Sequence, residues 1–181
     1  RIICGKDNRL SSDALHEAFI SGMLRTGAHV IHAGHASSPM IYFASCIYDV
    51  DGGINITASH NPKEYNGVKL VAKNAHSICG DEIQKILKII QDESFREGKG
   101  ELVAKDIFPE YLADVKKRVH LSRKLKVVLD SGNGITGKFA PALFRELGCE
   151  VIEQHCELDG NFPNHEANPE SEKNMEDVKA L

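Results

Sequence analysis

The sequence predicts an α/β protein, a layered mixed sheet flanked by helices. Three observations predict it. Short runs with strand-like composition alternate with stretches whose apolar residues recur at helical spacing. Glycines such as Gly27, Gly80 and Gly148 fall at the junctions, where helices start or stop. The alternation then restarts after a basic stretch around Arg123-Lys124, so a first domain over residues 1–121 and part of a similar second one over residues 122–181 are expected.

Each element can be justified in turn. Ile2-Ile3-Cys4-Gly5 is a short apolar strand running into the polar turn Lys6-Asp7-Asn8-Arg9. Ser11 or Ser12 caps a helix with Leu15, Phe19 and Met23 as its apolar face, and Gly27 stops it. Val30-Ile31 reads as a short strand, and Ser38-Pro39 opens a helix carrying Ile41, Ala44, Cys46 and Ile47. Ile54-Asn55-Ile56-Thr57 and Val68-Lys69-Leu70-Val71 alternate like paired strands, with Asn66-Gly67 as a strong signal for a tight turn. Gly80-Asp81 begins an amphipathic helix with Ile83, Ile86, Leu87 and Ile90 on one stripe.

Residues 93–105 are polar and read as a loop or a short edge hairpin. Pro109 starts a helix through Leu112, Val115 and Val119 that ends in the basic connector. Beyond it, residues 125–129 make a strand, 138–147 a helix, and 149–153 a second strand. An irregular segment over residues 158–169 precedes a final helix capped by Ser171. Neither end shows a polar fraying segment, which predicts a piece of a longer protein.

Composition narrows the function. Charged residues at 27% and hydrophobic residues at 41% are ordinary for a globular chain of 181 residues. A net charge of -4 argues against a general nucleic-acid binder. No apolar run reaches the roughly 18 residues of a bilayer span, and no secretory pattern opens the chain. The five cysteines, without a CxxC pair, predict reduced thiols in a cytoplasmic protein, with no zinc site and no disulfide framework. The nine histidines are scattered without metal-ligand spacing.

Chemistry concentrates in Thr57-Ala58-Ser59-His60-Asn61-Pro62 and, shortly after, Lys69. A phosphate-carrying or nucleophilic hydroxyl must be exposed, rigidly aimed and near a proton acceptor or cation. Ser59 has His60 and Lys69 to fill those roles, and Asn61-Pro62 supplies stiffness. Lys69 should face away from Val68 and Leu70. Arg9 pairs with a carboxylate or contacts phosphate in a bidentate way. No GxSxG elbow is present, which disfavours an α/β-hydrolase.

A competing site is Gly132-Asn133-Gly134-Ile135-Thr136-Gly137, a literal GxGxxG between a strand and a helix. Glu153 follows at about the 20-residue distance of a ribose-binding carboxylate in a dinucleotide fold. Asp130 weakens that reading by placing negative charge where a pyrophosphate would approach. The loop Asp159-Gly160-Asn161-Phe162-Pro163-Asn164-His165 is turn-rich, either packed by Phe162 or orienting a neighbouring domain.

Taken together, these segments resemble the α-D-phosphohexomutases, closest to the bacterial phosphomannomutase/phosphoglucomutase branch. The serine loop with Tyr65-Asn66-Gly67-Val68-Lys69 carries the likeness, as do Gly5-Lys6-Asp7-Asn8-Arg9-Leu10-Ser11, Val128-Leu129-Asp130-Ser131-Gly132-Asn133-Gly134 and the loop ending in Phe162-Pro163-Asn164-His165. The resemblance implies that Ser59 carries phosphate as phosphoserine, its phosphate being one ligand of a catalytic Mg2+. It implies that His60 and Lys69 line the site, with Lys69 the better candidate for proton transfer. A hexose 1,6-bisphosphate would be activator and intermediate, and a phosphosugar the substrate. In this family the glycine-rich turn is a strand–helix connection.

The family's preceding arginine segment, its DGDGDR metal loop and its third and fourth domains have no counterpart in this sequence. The remaining Mg2+ ligands and the remaining domains of the polypeptide are therefore expected outside it, and the piece alone is expected to be inactive. Phosphoglucosamine mutase, a dinucleotide-binding oxidoreductase and a non-catalytic binding module are the alternatives.

Overall fold

The structure is a computed structural model that describes residues 1–181. Its main sheet has six strands: β1 (Ile2–Lys6), β2 (Val30–His35), β3 (Gly52–Ile56), β4 (Val68–Ala72), β5 (His76–Ser77) and β6 (Leu102–Ala104). They lie in the order β5-β4-β3-β1-β2-β6. β1 runs parallel to both β2 and β3, and β6 is parallel to β2. β4 and β5 are antiparallel additions at the other edge.

The helices connecting these strands cover both faces. α1 (Ser12–Arg25) joins β1 to β2, and α2 (Ser38–Ile47) joins β2 to β3. On the α1 face Cys4, Ile20, Val30, Ile54 and Ile56 form a buried cluster against which Phe19, Met23 and Leu70 pack. On the α2 face Ile3, Ala36, Met40, Ile41, Ala44, Val50 and Ile107 are buried, joined by Phe139 from the second region. Gly53 is required there, because a Cβ would lie 2.8 Å from Ile41 and 3.2 Å from Ile3. α3 (Asp81–Gln91) follows β5, and α4 (Phe108–Arg118) follows β6 and packs on α2 with Tyr111 edge-on to Phe43.

The second region starts with β7 (Lys126–Asp130), then a short 3-10 turn (Ile135–Lys138), α5 (Ala140–Glu146) and β8 (Glu150–Gln154). β7 and β8 form a separate parallel pair. After a long irregular segment comes a second 3-10 turn and α6 (Glu176–Ala180). No helix is long and apolar enough to cross a membrane.

Several local expectations are corrected. α1 buries Ser12, His16 and Ile20, whereas Leu15 stays exposed, because the sheet meets a stripe that includes polar residues. In α2 only Ile41 and Ala44 of the four expected residues are buried; Cys46 and Ile47 face solvent. Residues 102–104 form a parallel edge strand on β2, not a hairpin. The helix expected over residues 138–147 is split into a 3-10 turn and α5. The apolar stripe of α3 is laid out as predicted but stays 36–54% exposed.

The Asn66-Gly67 signal also misleads. β3 and β4 pair as expected, with Ile56 opposite Val68, but the whole of residues 57–67 loops between them. Asn66 does not turn the chain. Its amide donates to Ser11 and Ser12, anchoring the loop's far end to the start of α1.

Candidate active site

The strand order locates the site before any side chain is considered. From β1 the chain moves outward to β2 and then returns past β1 to β3, so the winding reverses at β1. Ligands of open α/β sheets bind in the crevice beyond the carboxyl ends of the strands at such a switch point. The residues just past those ends are Asp7, Asn8 and Arg9 after β1, and Thr57 to Pro62 after β3.

Arg9 organises this crevice and is only 3% exposed. Its Nε donates to Asp7 at 3.2 Å. Nη1 donates to the carbonyls of Pro62 and Tyr65, and Nη2 to those of Ser59 and Asn61, at 2.7–3.1 Å. All five N–H groups of the guanidinium are thereby used. Asp7 is held in turn by the Arg9 backbone N–H and by Ser12 Oγ at 2.5 Å. The expected ion pair is present, but the expected phosphate contact has no donor left. Arg9 instead gathers the serine loop around a buried cation by its carbonyl oxygens.

That clamp fixes Ser59 in an unusual conformation, with φ of +59°, in the left-handed region that non-glycine residues visit rarely. The Ser59 N–H bonds Thr57 Oγ1 at 3.1 Å and its carbonyl accepts from Arg9, while the residue is exposed and lines the cavity. The result is an exposed hydroxyl on a rigid backbone, as a phosphate carrier needs.

Ser59, His60 and Lys69 line one cavity of about 610 Å3. Lys69 stands directly opposite Asn55 in the β3–β4 register, so both lie on the α2 face while Leu70 packs on the α1 face, as the alternation predicted. Lys69 forms no ion pair within the chain. Asn55, 1% exposed, donates to Ser38 at the start of α2. Ser37 and Ser38 also line the cavity, so the beginning of α2 faces it.

The opposite wall is the glycine-rich turn. Most of its N–H donors are spent within the chain. The N–H of Gly132 bonds the Asp130 carboxylate at 2.8 Å, that of Asn133 the His155 carbonyl at 2.7 Å, and that of Gly134 the Ser131 carbonyl at 2.7 Å. Asn133 Nδ2 donates to the Glu157 carbonyl, and its Oδ1 accepts from Asn164. A Cβ at Gly137 would overlap the Cys156 carbonyl, so this glycine serves close packing between chain segments. Glu153 is paired with Arg145 at 2.6 Å. With these amides committed and Glu153 held by Arg145, the dinucleotide reading is not supported.

The loop after β8 fastens the two regions together. The Arg9 guanidinium carbon lies 5.3 Å from the Phe162 ring centre, and Asn8 donates to the Asn133 carbonyl at 2.8 Å. A Cβ on Gly160 would lie 2.6 Å from the Asn8 carbonyl oxygen, so the backbones pass in contact. Phe162 therefore packs on the residue that also clamps the serine loop.

The fold also assembles a group the sequence did not suggest. Asp130, His155 and His165 present ligand atoms within 4.8 Å of one another. His165 Nε2 lies 3.0 Å from the Asp130 carboxylate and Nδ1 lies 2.8 Å from the Glu166 carbonyl. Burial opposes a charge on His165, but the Glu166 carbonyl and the Asp130 carboxylate outweigh it, and the imidazole pKa sits above its ordinary value. The expectation of histidines without metal-ligand arrangement came from linear spacing, and strands that far apart in sequence leave no spacing to read. Asp7, Asn8 and Asn133 were likewise not picked out as site-building residues, because their partners lie far away along the chain.

Comparison with known proteins agrees with this geometry. Residues 1–97 match the α/β/α domain I, and residues 109–181 the α/β/α domain II, described for phosphoglucomutase/phosphomannomutase. The chain is 35% identical over 179 residues to a phosphomannomutase/phosphoglucomutase of Pseudomonas aeruginosa, covering 99% of this chain and 38% of that protein. It is 40% identical to a phosphoglucomutase/phosphomannomutase of Thermococcus kodakarensis, covering 99% of this chain and 42% of the relative. A crystal structure of a phosphoglucomutase/phosphomannomutase family protein from Burkholderia thailandensis superposes with a TM-score of 0.95 at 37% identity, over 99% of this chain and 41% of that one. The chain thus spans about two fifths of the length of these relatives. With both domain matches in order and the serine loop at the switch point, the chain belongs to the phosphoglucomutase/phosphomannomutase family.

Proposed function

We propose that this chain carries the phosphoryl-transfer serine of an enzyme that interconverts hexose 1-phosphate and hexose 6-phosphate, with glucose and mannose as the sugars. The observation that carries the reading is Ser59. Its hydroxyl is exposed at the tip of a loop clamped by Arg9, in the same cavity as Lys69, which has no ion-pair partner.

Phosphoserine gives its phosphoryl group to a free sugar hydroxyl. The Oγ–P bond breaks as the sugar O–P bond forms, the hydroxyl proton passes to Lys69 acting as the neutral amine, and the freed Ser59 Oγ takes a proton from water. The bisphosphorylated sugar then reorients. Its other phosphate passes to Ser59 Oγ, which releases that proton, and Lys69, now the ammonium, gives its own to the departing sugar oxygen. A phosphoserine carries about -1.5 to -2 charges near neutral pH, and the N–H donors of Lys69 and His60 line the cavity that would hold it. Such transfer is mostly positioning and charge stabilisation. Asn55, opposite Lys69 in the register, limits where the lysine side chain can lie.

Mg2+ is the expected cofactor, and when bound it neutralises the phosphate oxygens. This chain alone does not fit it. Mg2+ takes near-octahedral oxygen ligands, and the cavity offers two carboxylates, Asp7, whose oxygens are held by Arg9 and Ser12, and Asp130, which stands beside an imidazole rather than further oxygen ligands. A phosphate on Ser59 would supply one ligand. The other ligands and the sugar-reading groups belong to further domains of the same polypeptide. We place the division between the two regions near residue 122, since α4 packs on α2 and Ile107 is in the first core. The five free thiols fit a cytoplasmic setting.

The test uses the intact polypeptide, treated with hexose 1,6-bisphosphate and mapped by mass spectrometry, then titrated with NADH under fluorescence. Phosphate on Ser59 and no nucleotide response are expected. Nucleotide binding without phosphate on Ser59 would overturn the reading. The 181-residue chain by itself should show no mutase turnover.

A further inference from the structure

We propose that Asp130, His155 and His165 form a binding site for a borderline-soft divalent cation, Zn2+ being the best match, which latches the loop over residues 156–169 onto the ends of β7 and β8. The three residues come from different segments: the last residue of β7, the residue after β8, and the loop that carries Phe162. It is the one group of three such ligands in the chain.

The donor set selects the ion. Two imidazoles and one carboxylate suit Zn2+ and its neighbours, whereas Mg2+ and Ca2+ call for oxygen ligands. Ligand bonds of about 2.0–2.2 Å place the donors of a tetrahedral ion roughly 3.3 Å apart. Asp130 Oδ2 and His165 Nε2, at 3.0 Å, already approach that separation. His155 has to swing inward, and its Nε2 gives up only two long contacts, with Gln154 Nε2 at 3.5 Å and Asp177 Oδ2 at 3.6 Å.

The groups behind the ligands are arranged as a metal site requires. His165 Nδ1 donates to the Glu166 carbonyl at 2.8 Å, which leaves Nε2 as the ligand nitrogen. Gly132 N–H holds Asp130 Oδ1 and leaves Oδ2 for the ion. Side-chain exposures of 6% for Asp130, 16% for His165 and 20% for His155 keep the donors sheltered but reachable. Asp130 and His165 also line the Ser59 cavity, so an open fourth position would face it.

A bound ion would hold the loop that seats Phe162 against Arg9, coupling metal occupancy to the joint between the two regions. This does not rest on the phosphotransfer reading. An ion here is measurable with Ser59 unmodified and no sugar present.

The test treats the purified chain with chelator, then titrates Zn2+ by calorimetry and Co2+ by visible absorption, beside His155→Ala and His165→Gln. One equivalent is expected, with ten-fold or greater loss of affinity in each variant, a rise in melting temperature with Zn2+ only in the parent, and no competition from millimolar Mg2+. Circular dichroism of the metal-free variants verifies their folding, and His155→Asn replaces any that fails. Absent binding, equal affinity in parent and variants, or cobalt–thiolate charge-transfer bands pointing to the cysteines would each overturn the proposal.

Discussion

The serine loop and the glycine-rich turn face each other across one cavity, and each follows the carboxyl end of a parallel strand. They use their polar groups in opposite ways. The serine loop turns four carbonyls inward onto Arg9 and leaves the Ser59 side chain outside. The glycine turn directs the N–H groups of Gly132, Asn133 and Gly134 to Asp130, His155 and Ser131. In linear sequence the glycine turn is the tidier motif. What separates a loop that presents a side chain to the cavity from one that only joins elements is where its hydrogen bonds end, and that depends on residues far away in the chain.

The sharpest way to break this contrast is to remove the clamp. Arg9→Ala strips the donors from four carbonyls and leaves the Asp7 carboxylate buried beside a void. Taking one partner from a buried ion pair costs about 3–5 kcal/mol. Urea unfolding should show a loss of that size, and a loss below about 1 kcal/mol would mean that the loop holds itself.

Next in size is Gly137→Ala on the facing turn, where the added methyl meets the Cys156 backbone. Overpacking of this kind costs about 1–3 kcal/mol. The same urea experiment reads it, and a neutral outcome would show that this turn is looser than the structure has it.

A smaller effect should come from pH. His16 is buried under α1, and burial pushes its imidazole down to about 4. The folded state therefore favours the neutral ring. Its contribution is fully present above the unfolded value of roughly 6.5 and is lost as pH falls from there towards 4. Urea midpoints across that range should fall in the parent, and more shallowly in His16→Gln. Parallel curves would assign the acid sensitivity elsewhere.

The least effect on stability is expected where the chemistry is concentrated. Ser59→Ala alters an exposed side chain and should change stability by less than about 0.5 kcal/mol. Phosphate labelling of the intact protein should nevertheless vanish. If labelling persists, another residue carries the phosphate.

The α/β alternation, the pairing of β3 with β4, and the facing of Lys69 away from Leu70 were all legible in the sequence, because they follow from local periodicity and alternation. That Ser59, His60 and Lys69 come to one cavity was legible for the same reason, their motif being contiguous. The Asn66-Gly67 turn was misread because its side chain found Ser11 and Ser12 instead of closing a hairpin. Arg9 was half-read: an ion pair was foreseen, but not the carbonyls that exhaust its donors.

By itself, then, the sequence determined the layers, the order of the elements and the loop that carries Ser59. Hydrophobic periodicity and turn chemistry act within a few residues, so they can be read along the chain. Tertiary structure alone decided that Arg9 holds the serine loop, that the GxGxxG turn bonds to the end of β8, and that Asp130, His155 and His165 meet. The first depends on the reversal of winding at β1, and the other two on the pairing of β7 with β8 and the return of the loop after it. Both join residues widely separated in sequence, and a buried hydrogen-bonding group takes whichever partner the fold delivers.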